Sequence, residues 1–226
     1  ARCYGQDLMR GEHVVGRKTE PGLTRVGGNR TADELDETSS KNLAASHSGT
    51  SIFDPVLCEI AYRWFCPPSG VVLDPFAGGS VRGIVAAKLG RQYIGIDLRP
   101  EQLEANRHQA DEICEDGPIP TWIEGDSLNI RDLVPQDTSA DFVFSCPPYA
   151  DLELYSDNPL DLSTMDYTDF RLTLSKIISE TCSLLKDNRF ACFVVGDVRD
   201  NKGFYHGLPW HTVEAFQNSG LHLYNE

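Results

Sequence analysis

Two short runs in this chain hold residue types and spacings that chemistry can use. Asp74-Pro75-Phe76-Ala77-Gly78-Gly79-Ser80 reads as a strand running into a glycine turn, where a backbone free of side chains can pass close to a nucleotide-like ligand. Ser145-Cys146-Pro147-Pro148-Tyr149 reads as a proline-stiffened turn that presents an aromatic ring. Tight glycine turns are also common without any ligand, so the first run decides little by itself.

The next two strand ends give that run its weight. A second strand closes in Gly95-Ile96-Asp97-Leu98, roughly 20 residues beyond the turn, where an acidic side chain suits the two hydroxyls of a ribose. The plain alternative for Asp97 is a cap on the helix that opens at Pro100. A third strand ends in Glu124-Gly125-Asp126-Ser127, and Asp126 there can accept from the exocyclic amine of an adenine or merely serve a turn. Three strands in succession that end in acid or glycine are far rarer by chance than any one of them.

These residues need elements to hold them at one edge. Asp54-Pro55 is a helix start, with an N-cap side chain and a proline at the first helical position, and Val56, Leu57, Ile60, Ala61, Trp64 and Phe65 recur at helical spacing up to Pro67-Pro68. The pattern then predicts strands at Val71–Phe76, Gln92–Leu98, Trp122–Gly125, Asp141–Ser145 and Phe190–Asp197, with a further strand starting at Leu221–Tyr224. Helices are expected over Ser80–Leu89, Pro100 to about Ile113, Phe170–Leu185 and Pro209–Asn218. Such alternation implies an α/β fold, a mainly parallel, doubly wound sheet with helices on both faces, and ligands at the carboxyl ends of its strands.

Composition sets the bounds. A chain of 226 residues, 40% hydrophobic, can bury one sizeable core. Residues 1–50 are rich in Gly, Arg, Thr and Ser and read as an irregular, mildly basic arm, which leaves 51–226 as the main domain. No apolar run approaches the roughly 18 residues that span a bilayer, and the start lacks a signal-peptide pattern, so a soluble cytoplasmic protein with no membrane partner is expected. Seven cysteines, an odd number without a CxxC pair, oppose a disulfide framework and a zinc site; no metal is expected. A net charge of −14 opposes phosphate binding by the chain as a whole, although charge summed over a chain does not describe its cleft.

With these residues in view, the chain resembles the amino-methyltransferase branch of the S-adenosylmethionine-dependent DNA methyltransferases, from Ser51 to about Val198. Phe53-Asp54-Pro55 resembles the family's element before the first strand, Asp74–Ser80 its glycine motif, Gly95-Ile96-Asp97 its ribose motif, Glu124-Gly125-Asp126 its adenine motif and Cys146-Pro147-Pro148-Tyr149 its catalytic tetrapeptide. Motif order resembles the gamma type, while the wording around Asp74 and Gly90–Gly95 resembles the beta type. The resemblance implies a Rossmann-like class I methyltransferase of a bacterial or phage restriction-modification kind. It further implies that Phe53, Asp54, Asp74, Phe76, Ala77, Gly78, Gly79, Asp97, Leu98, Asp126 and Ser127 hold S-adenosylmethionine. The acceptor is then N6 of adenine or N4 of cytosine in DNA, on a base flipped out and stacked on Tyr149. Its amine is held by the first tetrapeptide residue and the Pro147 carbonyl, so catalysis is chiefly orientation.

One departure leaves alternatives open. The family's Asp, Asn or Ser is here Cys146, a weak acceptor, so Ser145 or a backbone group takes over the hydrogen bond, or the chemistry differs. A cysteine is also the nucleophile that C5-pyrimidine methylation needs. In addition, Asp151, Glu153, Asp157, Asp161, Asp166 and Asp169 crowd a stretch with no Lys or Arg between Pro147 and Phe170, which favours an RNA or protein-amide acceptor, or a basic partner. A homodimer, a partner subunit for target recognition and a non-catalytic subunit are the remaining forms of this reading.

Overall fold

The computed structural model describes residues 52–115, 117–149 and 154–226; the arm expected over 1–50 lies outside them. Five strands, β1 (Val71–Asp74), β2 (Gln92–Asp97), β3 (Thr121–Glu124), β4 (Ala140–Ser145) and β5 (Leu185–Phe193), form one sheet in the order β3-β2-β1-β4-β5. Every pairing is parallel, with Val72 opposite Tyr93 and Phe142, and Ile96 opposite Ile123. The order reverses between β1 and β4, which makes their carboxyl ends the switch-point crevice.

Side chains alternate across the sheet with a period of two, and that alternation builds both cores. Val72, Tyr93, Phe142 and Phe144 point to the face covered by α1 (Pro55–Phe65), α2 (Val81–Lys88) and α3 (Pro100–Ile113), where they meet Tyr62, Ala86 and Leu103. Leu73, Ile96 and Val143 point to the other face, against Ile130 of α4 (Ile130–Leu133). On that side α5 (Tyr167–Cys182) and α6 (Leu208–Asn218) share a further cluster built on Phe170, Leu174, Ile178 and Leu208. The expected doubly wound α/β fold is present, with helices on both faces.

Close approach between the layers depends on Gly83. A Cβ there would stand 2.7 Å from the Trp122 ring and 3.1 Å from Tyr93. No larger residue at that point would let α2 lie so near β2 and β3.

Most element boundaries agree with the sequence expectation within one or two residues, and three do not. The helix expected at Phe170 begins at Tyr167, because Asp166 accepts from the amides of Thr168 and Asp169 and caps it. The strand expected over Phe190–Asp197 runs instead over Leu185–Phe193, interrupted by a bulge around Asn188, whose φ is 56°. It stops there because its neighbour β4 runs into Pro147-Pro148, which have no N–H to extend the ladder; Val194 N–H to Ser145 O, 2.9 Å, is the last rung. The strand expected at Leu221–Tyr224 is absent. Gly220, at φ 90°, turns α6 off in a left-handed cap, Leu221 N–H closes on Phe216 O at 3.1 Å, and Tyr224 packs edge-on against Phe190 without joining the sheet.

Candidate functional site

At the carboxyl end of β1, Asp74 is completely buried and collects four donors. Its Oδ1 accepts from Phe76 N at 3.0 Å and Ser145 Oγ at 2.5 Å, and its Oδ2 from Arg82 Nε at 2.6 Å and Tyr93 Oη at 2.7 Å. That number of donors fills a carboxylate's lone pairs. Asp74 is therefore the bracket that joins β1, β2, β4 and α2 under the glycine turn. Arg82 also donates to the carbonyls of Phe76 at 2.5 Å and Ala77 at 3.0 Å, which fixes the turn's backbone. Burial works against the Arg82 charge, but the adjoining Asp74 carboxylate outweighs it and holds the guanidinium above its ordinary value. Tyr93 is driven up by burial first and by Asp74 second, so it stays a neutral donor.

The turn itself leaves a gap in its covering of side chains. Gly78 has φ 49°, the left-handed region that glycine tolerates, and no described residue stands within 4 Å of where a Cβ on Gly79 would lie. Gly78 N–H donates to Asp97 Oδ2 at 2.8 Å, and Asn106 on α3 donates to Gly78 O at 2.7 Å. Ser80 donates to Gln109 Oε1 at 2.5 Å. The loop is thus presented by side chains from β2, α2 and α3, while among the described residues none covers the Gly79 side.

Asp97 accepts from Gly78 through one oxygen and from Arg99 N through the other, at 3.0 Å, leaving a lone pair on each. Burial raises its pKa, against the pull of the Arg99 amide. Leu98 beside it is half-buried. Asp126 uses Oδ1 to cap the turn Ser127–Asn129 through Leu128 N at 2.9 Å, and Ser127 donates to Pro75 O at 2.6 Å, tying the β3 end to the β1 end. Asp54 caps α1 through Val56 N at 2.8 Å. Phe53 lies under the Arg82 guanidinium, 4.7 Å from it, and edge-on to Phe144. Phe76 meets Phe193 edge-on at 6.2 Å.

Ser145, Cys146, Pro147, Pro148 and Tyr149 follow β4 into the same crevice. Ser145 is fully buried with its hydroxyl given to Asp74, so its side chain closes the bracket and does not face an open pocket. Cys146 and Tyr149 are half-buried neighbours, Sγ to Oη 3.8 Å. Tyr149 Oη lies 3.5 Å from Val194 O, and Gly196 backs its ring. Asp197, next along the chain, caps α6 by accepting from Gly207 at 2.9 Å and Leu208 at 3.1 Å.

The arrangement therefore has two halves. One is an open glycine turn between two carboxylates at the ends of β1, β2 and β3, which fits a nucleoside carrying a cationic tail. The other is a soft thiol and a phenol ring on a proline-stiffened turn at the end of β4. Among the described residues no group of acids, histidines and cysteines has the geometry of a metal site.

Sequence reasoning missed Arg82, Tyr93, Asn106 and Gln109. The available signal was an arginine in the first turn of a helix otherwise rich in Gly, Ala, Val and Ile, where a charge has to find a buried partner.

Residues 51–108 match the family model described as DNA methylase. The type II methyltransferase M.XycI of Xanthomonas campestris pv. cyanopsidis is 36% identical over 85 residues, 37% of this chain and 28% of that protein. M.HinfI of Haemophilus influenzae is 42% identical over 79 residues, 34% of this chain and 21% of that protein. The matching part thus spans less than a third of the length of either relative. Among solved structures, magnesium protoporphyrin IX methyltransferase from Synechocystis PCC 6803 superposes with a TM-score of 0.52 at 14% identity, covering 87% of this chain and 91% of that one. The [4+2]-cyclase SpnF gives 0.53 at 14%, over 76% and 58%. These two share the fold; a methyltransferase and a cyclase on one scaffold leave chemistry to the site.

Proposed function

We propose that this chain, a member of the DNA amino-methyltransferase family through residues 51–108, transfers a methyl group from S-adenosylmethionine to the exocyclic amine of a DNA base, N6 of adenine or N4 of cytosine. The observation that carries the reading is the convergence at one sheet edge of the open Gly78-Gly79 turn, Asp97 and Asp126 with Cys146-Pro147-Pro148-Tyr149. S-adenosylmethionine supplies an activated methyl on a sulfonium.

Everything else falls to the chain. Asp97 accepts from the ribose hydroxyls with the lone pairs left after Gly78 and Arg99. Asp126 has one oxygen beyond its cap for the adenine amine. Phe53 and Phe76 wall the pocket, the fully buried Ala77 packs beneath it, and Asp74, Ser145 and Arg82 keep its floor in shape. On the acceptor side a flipped base stacks on Tyr149, with its amine donating to the Pro147 carbonyl; Cys146 adds little as an acceptor. Holding nitrogen in line with the methyl is the main source of rate. Residues 51–226 form the catalytic domain in this reading and 1–50 an arm. It acts in the cytoplasm, where DNA is reached, and a second copy or a partner subunit supplies target recognition.

Incubation with labelled S-adenosylmethionine and DNA, then nucleoside mass spectrometry, is expected to yield N6-methyladenine or N4-methylcytosine. No label on any DNA tested overturns the proposal. Cys146→Ser is expected to retain transfer within about tenfold; loss of all transfer together with 5-methylcytosine in the wild-type product would point to a covalent thiol mechanism instead.

A further inference from the structure

Beyond the methyl-transfer crevice, the segment that leaves β5 folds into a small antiparallel turn that the catalytic reading does not use. Arg199 bridges to Tyr205, Asp200 accepts from the amides of Lys202 and Phe204 at 2.9 and 2.8 Å, and His206 N–H returns to Val198 O at 2.9 Å. Arg199 donates to Gly203 O and stacks its guanidinium 3.8 Å over the Tyr205 ring. His206 lies flat on Tyr167 at 3.8 Å, anchoring the turn to the start of α5. This local order supports aromatic rings that are left out in solvent: Phe204 is 70% exposed, Tyr205 61%, and Trp210, in the first turn of α6, 76%.

Charge separates this side of the crevice from the other. The sequence of residues 150–169 holds six carboxylates and no cation, and of those the structure describes Asp157, Asp166 and Asp169 are exposed while Asp161 is buried; that balance of charge repels a phosphate backbone. On the turn, Asp197 and Asp200 are balanced by Arg199 and Lys202, and neither cation has an ion-pair partner among the described residues. Gly196 backs the Tyr149 ring, and Arg199 follows three residues later, roughly 10 Å along an extended chain. The turn therefore lies within reach of a strand whose base stacks on Tyr149. Exposed rings serve unstacked bases, and unpaired cations serve phosphates.

We propose that the Arg199–Tyr205 turn, together with Trp210, is the DNA-contacting surface beside the acceptor site: Lys202 and Arg199 meet the backbone, and Phe204 and Trp210 stack on bases flanking the flipped one. It rests on the methyl-transfer reading for the identity of the polymer. Fluorescence anisotropy of the full chain with a labelled duplex carrying one unpaired base tests it, across a salt series, with cofactor affinity followed by calorimetry. Phe204→Ala is expected to weaken DNA binding roughly fivefold to a hundredfold. Lys202→Gln is expected to lower the slope of log K against log salt by about 1. Cofactor affinity should stay unchanged in both. DNA affinity and slope that do not move in either variant overturn the proposal, as does an RNA of the same sequence displacing the duplex at equal or lower concentration. DNA binding that depends on the turn but is never followed by methylation would leave this surface standing and remove the proposed activity.

Discussion

In the proposed reading Asp97 has two tasks for one carboxylate, and its lone pairs divide them. Two amides, from Gly78 and Arg99, already lie on it, so the side chain is oriented before any ligand arrives. Charge-assisted hydrogen bonds to such a group are worth about 1.5–3 kcal/mol each. Asp97→Ala is accordingly expected to weaken S-adenosylmethionine binding by roughly tenfold to a hundredfold, read by calorimetry, while Asp126→Ala, whose carboxylate is shared with a cap, costs less. The places of Asp97 and Asp126 at strand ends were legible in the sequence because an acid at a strand end beside glycine is a local pattern. Arg82 and Tyr93 were not, because their meaning lies in Asp74, and a hydrogen bond between positions 8 or 19 apart leaves no periodic trace.

At the scale of elements, the bracket around Asp74 decides how β1, β2, β4 and α2 meet. Arg82 and Asp74 are 6% and 0% exposed at the side chain, so neither charge is screened by water. Removing one partner of a buried pair leaves the other uncompensated at a cost of about 3–5 kcal/mol. Arg82→Leu should lower the urea midpoint by that measure, and the double change with Asp74→Asn should cost less than the sum of the singles; strictly additive losses would show that the pair is not coupled. The order of the five strands and the longer helices was legible, because apolar runs alternate in length and period along the chain, whereas the short α4 was not expected. What sequence could not supply was where β5 ends. Val194–Asp197 reads as strand by residue type, yet whether it pairs depends on the prolines of another segment. The final Leu221–Tyr224 stretch fails for a related reason: β propensity without a partner edge makes no strand.

For the molecule as a whole, the two edges of the sheet answer acid in opposite senses. At the amino edge, burial works to raise Asp141, but Lys186 at 2.8 Å, the Val71 amide at 3.1 Å and Arg189 at 3.2 Å outweigh it and lower its pKa. A lowered carboxylate stabilises the fold above its ordinary value, near about 3.9, and that contribution is lost as pH falls through the lowered one. At the carboxyl edge Asp97, raised by burial, favours the fold below its ordinary value and loses that contribution as pH rises through the raised one. Thermal melts from pH 7 downward should therefore show a fall below about pH 4 that Asp141→Asn flattens, at the cost of a lower Tm at pH 7. An unchanged acid limb would mean that Asp141 binds its partners too weakly to matter. The charge of −14 at pH 7 is cancelled near pH 4.8 and turns positive below it as the carboxylates protonate, so repulsion among the Lys, Arg and His side chains adds to the fall, and only the difference between wild type and Asp141→Asn isolates the Asp141 share.

The reversal of strand order between β1 and β4 has a consequence for how this molecule can be assembled. The groups assigned to the methyl donor lie at or before residue 127, and those of the acceptor turn lie after residue 144; the two sets join through the β1–β4 ladder, the Asp74–Ser145 and Val71–Asp141 hydrogen bonds, the aromatic edge of α1 on Phe142, Phe144 and Phe190, and the packing of Phe76 on Phe193. A cut in the 135–139 loop would give two fragments, each carrying one of the two proposed sites, with a parallel seam, two hydrogen bonds and an apolar face to guide their complementation.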